Sequence, residues 1–363
     1  MKRIRVLVVD DSALVRCILS EIINRQKDME CIGSANDPLV AREMIRELNP
    51  DVITLDVEMP RMDGIDFLER LMRLRPMPVV MISTLTERGA DVTIKALELG
   101  AVDFVAKPRL GVANGLMELS AQIVEKVRIA GSVVIKRAVA RPKMVDQLPE
   151  SAYPIPRPNL CAGRMYSKKL ICIGASTGGT EAIKEILVRL PSDSPGVVIT
   201  QHMPAGFTSS FAVRLNSLCQ ITVKEAVNGE KILLGHAYIA PGGMHLKVCR
   251  NGCNYIAEVV DGEPVNRHKP SVEVLFKSVA RVAGKNAFGI MLTGMGSDGA
   301  VAMREMKDAG SYNFVQNEAS CVVFGMPKEA IFQGAADEVL DIVEIAPALL
   351  ARLVHTADRF DDL

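Results

Sequence analysis

The sequence predicts an α/β protein of two domains: an N-terminal doubly wound, five-stranded parallel sheet and a C-terminal α/β doubly wound, mostly parallel sheet with a β-hairpin. Three observations predict it. Strand and helix patterns alternate regularly to about residue 130, repeated prolines break the pattern between about 131 and 167, and a second alternation begins near Lys168. Repeated βα units bury a parallel sheet between helices, and a chain of 363 residues is long enough for two such cores.

In the first domain, short apolar runs predict strands at about 4–9, 29–34, 51–55, 78–83 and 102–105. Helical periodicity predicts helices at about 13–25, 38–48, 65–74, 88–99 and 111–129. A sheet wound in this way places its working crevice outside the carboxyl ends of its strands. The residues there are Asp10 and Asp11, then Asp56, then Ser83 and Thr84, then Lys107. Crowded carboxylates repel unless a cation sits among them, and hard oxygen donors suit Mg²⁺. A carboxylate beside that ion can accept a phosphoryl group, whose oxygens a hydroxyl and an ammonium would hold. Solvated loop acids would explain any one of these residues, but explain poorly why all of them stand at strand ends.

The stretch from 131 to 167 holds Ala138-Val-Ala-Arg-Pro-Lys143 and Leu148-Pro-Glu-Ser-Ala-Tyr-Pro-Ile-Pro-Arg-Pro158. Proline resists helix and sheet and stiffens an extended chain. Such a tether keeps two domains at high effective concentration, as regulation by docking and release requires.

The second domain opens on Leu170-Ile-Cys-Ile-Gly-Ala-Ser176-Thr-Gly-Gly-Thr180, a buried strand turning sharply into a helix at about 180–190. Gly174-Ala-Ser176-Thr-Gly178 has the G-x-S-x-G spacing of a nucleophile elbow and also resembles a dinucleotide-binding turn. The latter needs an acidic residue closing the next strand. That strand, Gly196–Thr200, runs instead into Gln201-His202. A helix is predicted near 208–218, then a β-rich stretch, a hairpin turning at Asn251-Gly252, and a helix over 272–283 with Ser271 as its N-cap. Ala287-Phe-Gly-Ile-Met-Leu-Thr293 reads as another buried strand, leading into Gly294-Met-Gly-Ser-Asp298-Gly-Ala300 and a helix.

Ser176, His202 and Asp298 each follow a predicted parallel strand, so topology puts them at one edge of the sheet. Serine attacks poorly until a base takes its proton, and histidine titrates near neutrality. An acid on the other ring nitrogen fixes the tautomer and steadies the imidazolium. Backbone amides in the glycine-rich loops at 176–179 and 294–296 could supply an oxyanion site. His245 and His268 are rivals for the base, and Asp298 could merely cap its helix.

Composition narrows the classes. Formal net charge is zero, with 48% hydrophobic and 24% charged residues, which argues against general affinity for nucleic acid or anionic membrane. No apolar run approaches a membrane span, and Met1-Lys-Arg-Ile-Arg runs straight into a strand, unlike a signal peptide, so a cytoplasmic protein without membrane insertion is expected. The eight cysteines lie mostly in apolar patterns, as small core residues of a reducing compartment do. Cys249 and Cys253 flank the hairpin signal, with no second pair to complete a zinc site.

Asp10-Asp11, Asp56 before Val57-Glu-Met-Pro60, Ser83 and Lys107-Pro108 together resemble a two-component receiver domain over residues 1–130. The resemblance implies phosphorylation of Asp56, Mg²⁺ held by Asp10, Asp11 and Asp56, phosphoryl binding by Lys107, a switch hydroxyl at Ser83 and a switching aromatic at Phe104. After the linker at 131–167, residues 168–363 resemble the chemotaxis protein-glutamate methylesterase family. The matching runs are Gly174-Ala-Ser-Thr-Gly-Gly179, Gln201-His-Met-Pro204, His268-Lys-Pro-Ser-Val-Glu273, Thr293-Gly-Met-Gly-Ser-Asp-Gly299 and Gln316-Asn-Glu-Ala-Ser-Cys-Val-Val-Phe-Gly-Met-Pro327. The family implies a Ser176, His202 and Asp298 triad, an oxyanion amide from Met295, and Thr177 lining that site. It further implies methyl-accepting chemotaxis receptors as substrate, a chemotaxis sensor histidine kinase as phosphodonor, and no cofactor for the ester reaction. Ala302 departs from the family's Asp-Gly-Ala-x-Gly run. A receiver-controlled transcription regulator is the rival from another class, but residues 168–363 carry neither a basic excess nor a helix-turn-helix pattern; a nucleotide-dependent enzyme is the third.

Overall fold

The structure, a computed structural model, describes residues 3–59, 63–84, 87–107, 112–133 and 168–358. All but the first three residues of the predicted linker lie outside these. The chain divides into two compact units between Val139 and Ala140.

In the first unit, β1 (Ile4–Val9), β2 (Met29–Ala35), β3 (Val52–Asp56), β4 (Val79–Thr84) and β5 (Asp103–Lys107) form one sheet in the order β2-β1-β3-β4-β5. Every pairing is parallel. β3 and β5 are buried along their whole length, which is why they read as apolar runs without alternation. The helices are α1 (Ala13–Asn24), α2 (Pro38–Leu48), α3 (Gly64–Leu74), α4 (Glu87–Glu98), α5 (Val112–Glu118) and α6 (Ser120–Ser132). Their starts follow local chemistry: Ser12, Asp37 and Asp63 accept backbone N–H bonds at the N-termini of α1, α2 and α3. The single helix expected at 111–129 is two, divided at Leu119, whose ψ of 3° departs from the helical value. The chain order reverses between β1 and β3, so the crevice opens beyond Val9 and Asp56.

The second unit is built on β6 (Leu170–Ala175), β7 (Gly196–Gln201), β8 (Thr222–Glu225), β9 (His236–Ile239), the hairpin β10 (His245–Asn251) and β11 (Asn254–Val260), β12 (Ala287–Met291), β13 (Tyr312–Gln316) and β14 (Glu338–Leu340). Seven strands form a sheet in the order β14-β13-β12-β6-β7-β9-β8, parallel throughout. The hairpin is a separate antiparallel pair. Its turn lies one residue later than expected: Asn251 still pairs with Asn254, and Gly252, at a φ of 58°, takes the first turn position that favours glycine. Cys249 accordingly sits in a strand opposite Ile256, with Cys253 in the turn.

The helices are α7 (Gly179–Leu187), α8 (Phe207–Asn216), α9 (Val272–Val282), α10 (Ala300–Asp308), α11 (Met326–Phe332) and α12 (Ile342–Asp358). α9 buries Val272, Leu275, Phe276 and Val279 against the sheet, at the i, i+3, i+4, i+7 spacing of one helix face. Ser271 does stand at the N-cap position of α9, but its side chain makes no cap bond there. Strand order reverses between β6 and β12, and the crevice of this unit opens beyond their carboxyl ends.

Candidate active site and phosphoacceptor site

Three neighbouring strands, β12, β6 and β7, deliver the expected residues to one rim of the seven-stranded sheet. Met291 pairs with Gly174, and Ala175 pairs with Gln201, so Thr293, Ser176 and His202 follow at adjacent strand ends. Backbone bonds extend this register past the strands: Ser176 N–H donates to the Thr293 carbonyl at 3.0 Å and His202 N–H to the Ala175 carbonyl at 3.2 Å. The turn after Ser176 is tight, with Gly179 N–H donating to the Ser176 carbonyl at 2.7 Å. Gly178 makes the turn with a φ of 78° and caps α7.

Asp298 is the best-connected group of the site. His202 Nε2 lies 2.8 Å from its Oδ2. Asn266 Nδ2, Ser271 Oγ and the Val272 and Glu273 amides also donate to this carboxylate, at 2.9, 2.8, 2.7 and 3.3 Å. Asp298 therefore caps α9 in place of Ser271, whose hydroxyl it recruits. A carboxylate two residues ahead of its own helix does two tasks, capping a different helix and orienting the histidine. Burial pushes its pKa up, but the hydrogen bond and charge of His202, with the bonds from Asn266 and Ser271, outweigh that and lower it to about 2. An ionised carboxylate only accepts, so in the neutral imidazole the proton belongs on Nε2 and the lone pair on Nδ1. His202 Nδ1 is buried and has no hydrogen-bond partner among the described residues.

The two rival histidines fall in different places. His245 is buried, with Nε2 2.9 Å from the Glu263 carbonyl. His268 stacks on His202, with ring centroids 3.6 Å apart and planes 7° from parallel. Nitrogens of both rings and an Asp298 oxygen lie within 4.8 Å of one another, close enough for a metal. The stack opposes one: each ring's lone pairs lie in its own plane, and two nearly parallel planes offer no common point to an ion.

Around these residues stand polar supports that the sequence pattern did not single out. Gln201 Nε2 donates to the Ser176 carbonyl at 2.9 Å. Thr293 Oγ1 lies 3.0 Å from the Thr177 carbonyl and accepts from the Val322 and Val323 amides at 3.1 and 2.9 Å, tying three loops together. Gln316 accepts from Thr293 N–H at 2.8 Å. Thr177 is buried and Met295 half-buried. The loop carrying Met295 is pinned just before it, where the Gly294 carbonyl accepts from the Gly325 and Met326 amides. Ala302, the departure in the glycine run, is fully buried, and its N–H donates to Glu273 Oε2 at 3.2 Å.

In the first unit, Asp10, Asp56, Ser83 and Lys107 are all buried at the crevice edge and Asp11 is exposed. Lys107 Nζ lies 2.7 Å from Asp10 Oδ2 and 2.8 Å from Asp56 Oδ1. Oxygens of Asp10, Asp11 and Asp56 come within 4.8 Å of one another, a donor set that suits a hard divalent cation. Burial raises the Asp56 pKa to about 6, against the lowering pull of Lys107 and with the help of the Asp10 charge. For Lys107 burial pulls the pKa down, but the two carboxylates prevail and raise it. Ser83 Oγ donates to the Gly89 carbonyl at 3.3 Å. Phe104 is buried, with Lys126 Nζ 5.1 Å from its ring centroid.

Two family models match the chain in tandem: the response regulator receiver domain over residues 6–112 and the CheB methylesterase over residues 171–349. The protein-glutamate methylesterase/protein-glutamine glutaminase 1 of Albidiferax ferrireducens is 74% identical over 360 residues, covering 99% of this chain and 96% of its own length. Its counterpart from Methylobacillus flagellatus is 58% identical over 356 residues, with 98% of each chain covered. Among solved structures, the Thermotoga maritima CheB methylesterase catalytic domain matches with a TM-score of 0.50 and 37% identity, covering 50% of this chain and 97% of that one. With one rim of the second sheet organised around a serine, a histidine and an aspartate, and two relatives alike from end to end, this chain belongs to the protein-glutamate methylesterase/protein-glutamine glutaminase family.

Proposed function

We propose that this chain is a phosphorylation-activated serine hydrolase that demethylates glutamyl methyl esters, and deamidates glutamines, on methyl-accepting chemotaxis receptors. The observation that carries the reading is the His202–Asp298 couple, with Nε2 committed to the carboxylate and Nδ1, at the rim where Ser176 emerges, buried without a hydrogen-bond partner among the described residues. Nδ1 is the base. It takes the Ser176 proton as Oγ attacks the ester carbonyl, and the Met295 amide, beside Thr177, receives the oxyanion. Methanol leaves with the proton from Nδ1, and water, deprotonated in turn, releases the glutamate and restores Ser176. A glutamine substrate follows the same course with ammonia leaving.

We assign residues 1–130 to the receiver, 131–167 to the linker and 168–363 to the catalytic domain. Asp56 accepts the phosphoryl group from a chemotaxis sensor histidine kinase, Lys107 and Ser83 bind its oxygens, and Phe104 responds. Asp10, Asp11 and Asp56 would hold Mg²⁺, which when bound supplies positive charge to the phosphoryl oxygens. No described helix is long and apolar enough to cross a membrane, and we place the protein in the cytoplasm beside its receptors. The test is Ser176→Ala, with methanol release from methylated receptor followed alongside phosphoryl incorporation at Asp56. Methanol release should vanish and incorporation persist; release at the wild-type rate would end the reading.

A further inference from the structure

We infer that His268 is a positioning residue for the reaction proposed above, on which this inference rests: its ring is the flat face that holds the His202 imidazole as it takes and returns the serine proton. The stack, with 3.6 Å between centroids and 7° between planes, is the closest ring contact in the second unit among the described residues. It is also built into the backbone. Val265 and His268 exchange two backbone hydrogen bonds, at 3.0 and 2.9 Å, closing a tight turn. Between them Asn266 and Arg267 both take left-handed backbone angles, φ 52° and 68°, which residues bearing a Cβ seldom adopt. That unusual turn yields two contacts. Asn266 donates to Asp298 at 2.9 Å, and His268 lies against His202. One short segment thus grips both members of the histidine–carboxylate couple.

The physical need is plain. A single hydrogen bond at Nε2 fixes one atom of the His202 ring and leaves the ring free to tilt about it, which would swing Nδ1 away from the serine. A parallel ring across its face removes that freedom. Once Nδ1 has taken the proton, the same face keeps the imidazolium aimed at the group that must receive it. The aim of the ring matters at the proton transfers, so the benefit falls on kcat rather than on substrate binding.

The experiment follows methanol release from methylated receptor by the full chain, with phosphodonor present. It compares wild type, Ser176→Ala, His268→Leu and His268→Phe. His268→Leu should lower kcat by about 10- to 100-fold, the usual effect of a misaimed catalytic group, with KM nearly unchanged. His268→Phe, which restores a flat face without a nitrogen, should recover most of the loss. Should His268→Leu fail to fold, as judged by thermal unfolding, His268→Asn replaces it as the ringless variant. A ringless variant at the wild-type kcat would overturn the inference, as would a His268→Phe protein no faster than the ringless one. An inactive wild type, or an active Ser176→Ala, would instead bring down the proposed function itself.

Discussion

Asp298 spends its two oxygens on five donors, and that concentration explains both its acidity and its reach. Its pKa falls from the ordinary 3.8 to about 2. A carboxylate lowered on folding stabilises fully above its unfolded pKa, and loses that contribution as pH falls through the folded value. The linkage amounts to about 2 kcal/mol. Urea unfolding of wild type and Asp298→Asn should therefore show a stability gap at pH 5 that narrows by about that amount towards pH 2. In activity, Asp298→Asn should cost about 10⁴ in kcat, because a neutral amide can favour the wrong histidine tautomer. Ser176, His202 and Asp298 could each be read from the strand that precedes it. Asn266, Ser271 and Thr293 could not be given their parts, since bonds such as Ser271 to Asp298, spanning 27 residues, leave no local pattern. Ser271 stands where a cap belongs, and only the fold brings a carboxylate to take the task from it.

At the scale of elements, the nucleophile loop and the loop after β12 are packed backbone to backbone. A Cβ built on Gly294 would lie 2.7 Å from the Ser176 Cβ, 3.1 Å from its N and 2.5 Å from Met326 Sδ. Gly294→Ala must therefore part the two loops, and it should lower esterase kcat by about 10² while costing about 1–3 kcal/mol in stability. Phosphorylation of Asp56 in the same protein provides the internal control; an unchanged kcat would show that the loops part without moving Ser176. The strands of the first sheet and β6, β7 and β12 of the second were legible as short runs rich in apolar residues, whereas β13 and β14 were not read, β14 being three residues long and not fully buried. Boundaries were less so. The division at Leu119 and the one-residue shift of the hairpin turn depend on single backbone angles that neighbouring side chains barely encode.

On the scale of the whole molecule, each unit has its own parallel sheet and its own buried core, and each brings its candidate site residues to its own switch point. Residues 168–363 alone should then hydrolyse ester at a rate insensitive to phosphodonor, whereas the full chain should accelerate when Asp56 is phosphorylated. Methanol release from both proteins, with and without a small-molecule phosphodonor, separates these cases, and an equal response in both would remove the receiver from control. The division into two units was legible from the proline-rich break.

The most direct measurement is covalent labelling of the full chain with a fluorophosphonate, with the site found by peptide mass spectrometry and the rate compared in His202→Ala and Asp298→Asn. Wild type should acquire one adduct, on Ser176, and both variants should form it at least about 100-fold more slowly, as loss of a general base requires. Stoichiometric adduct on another residue, or labelling of Ser176 that ignores His202, would contradict a serine activated by that couple.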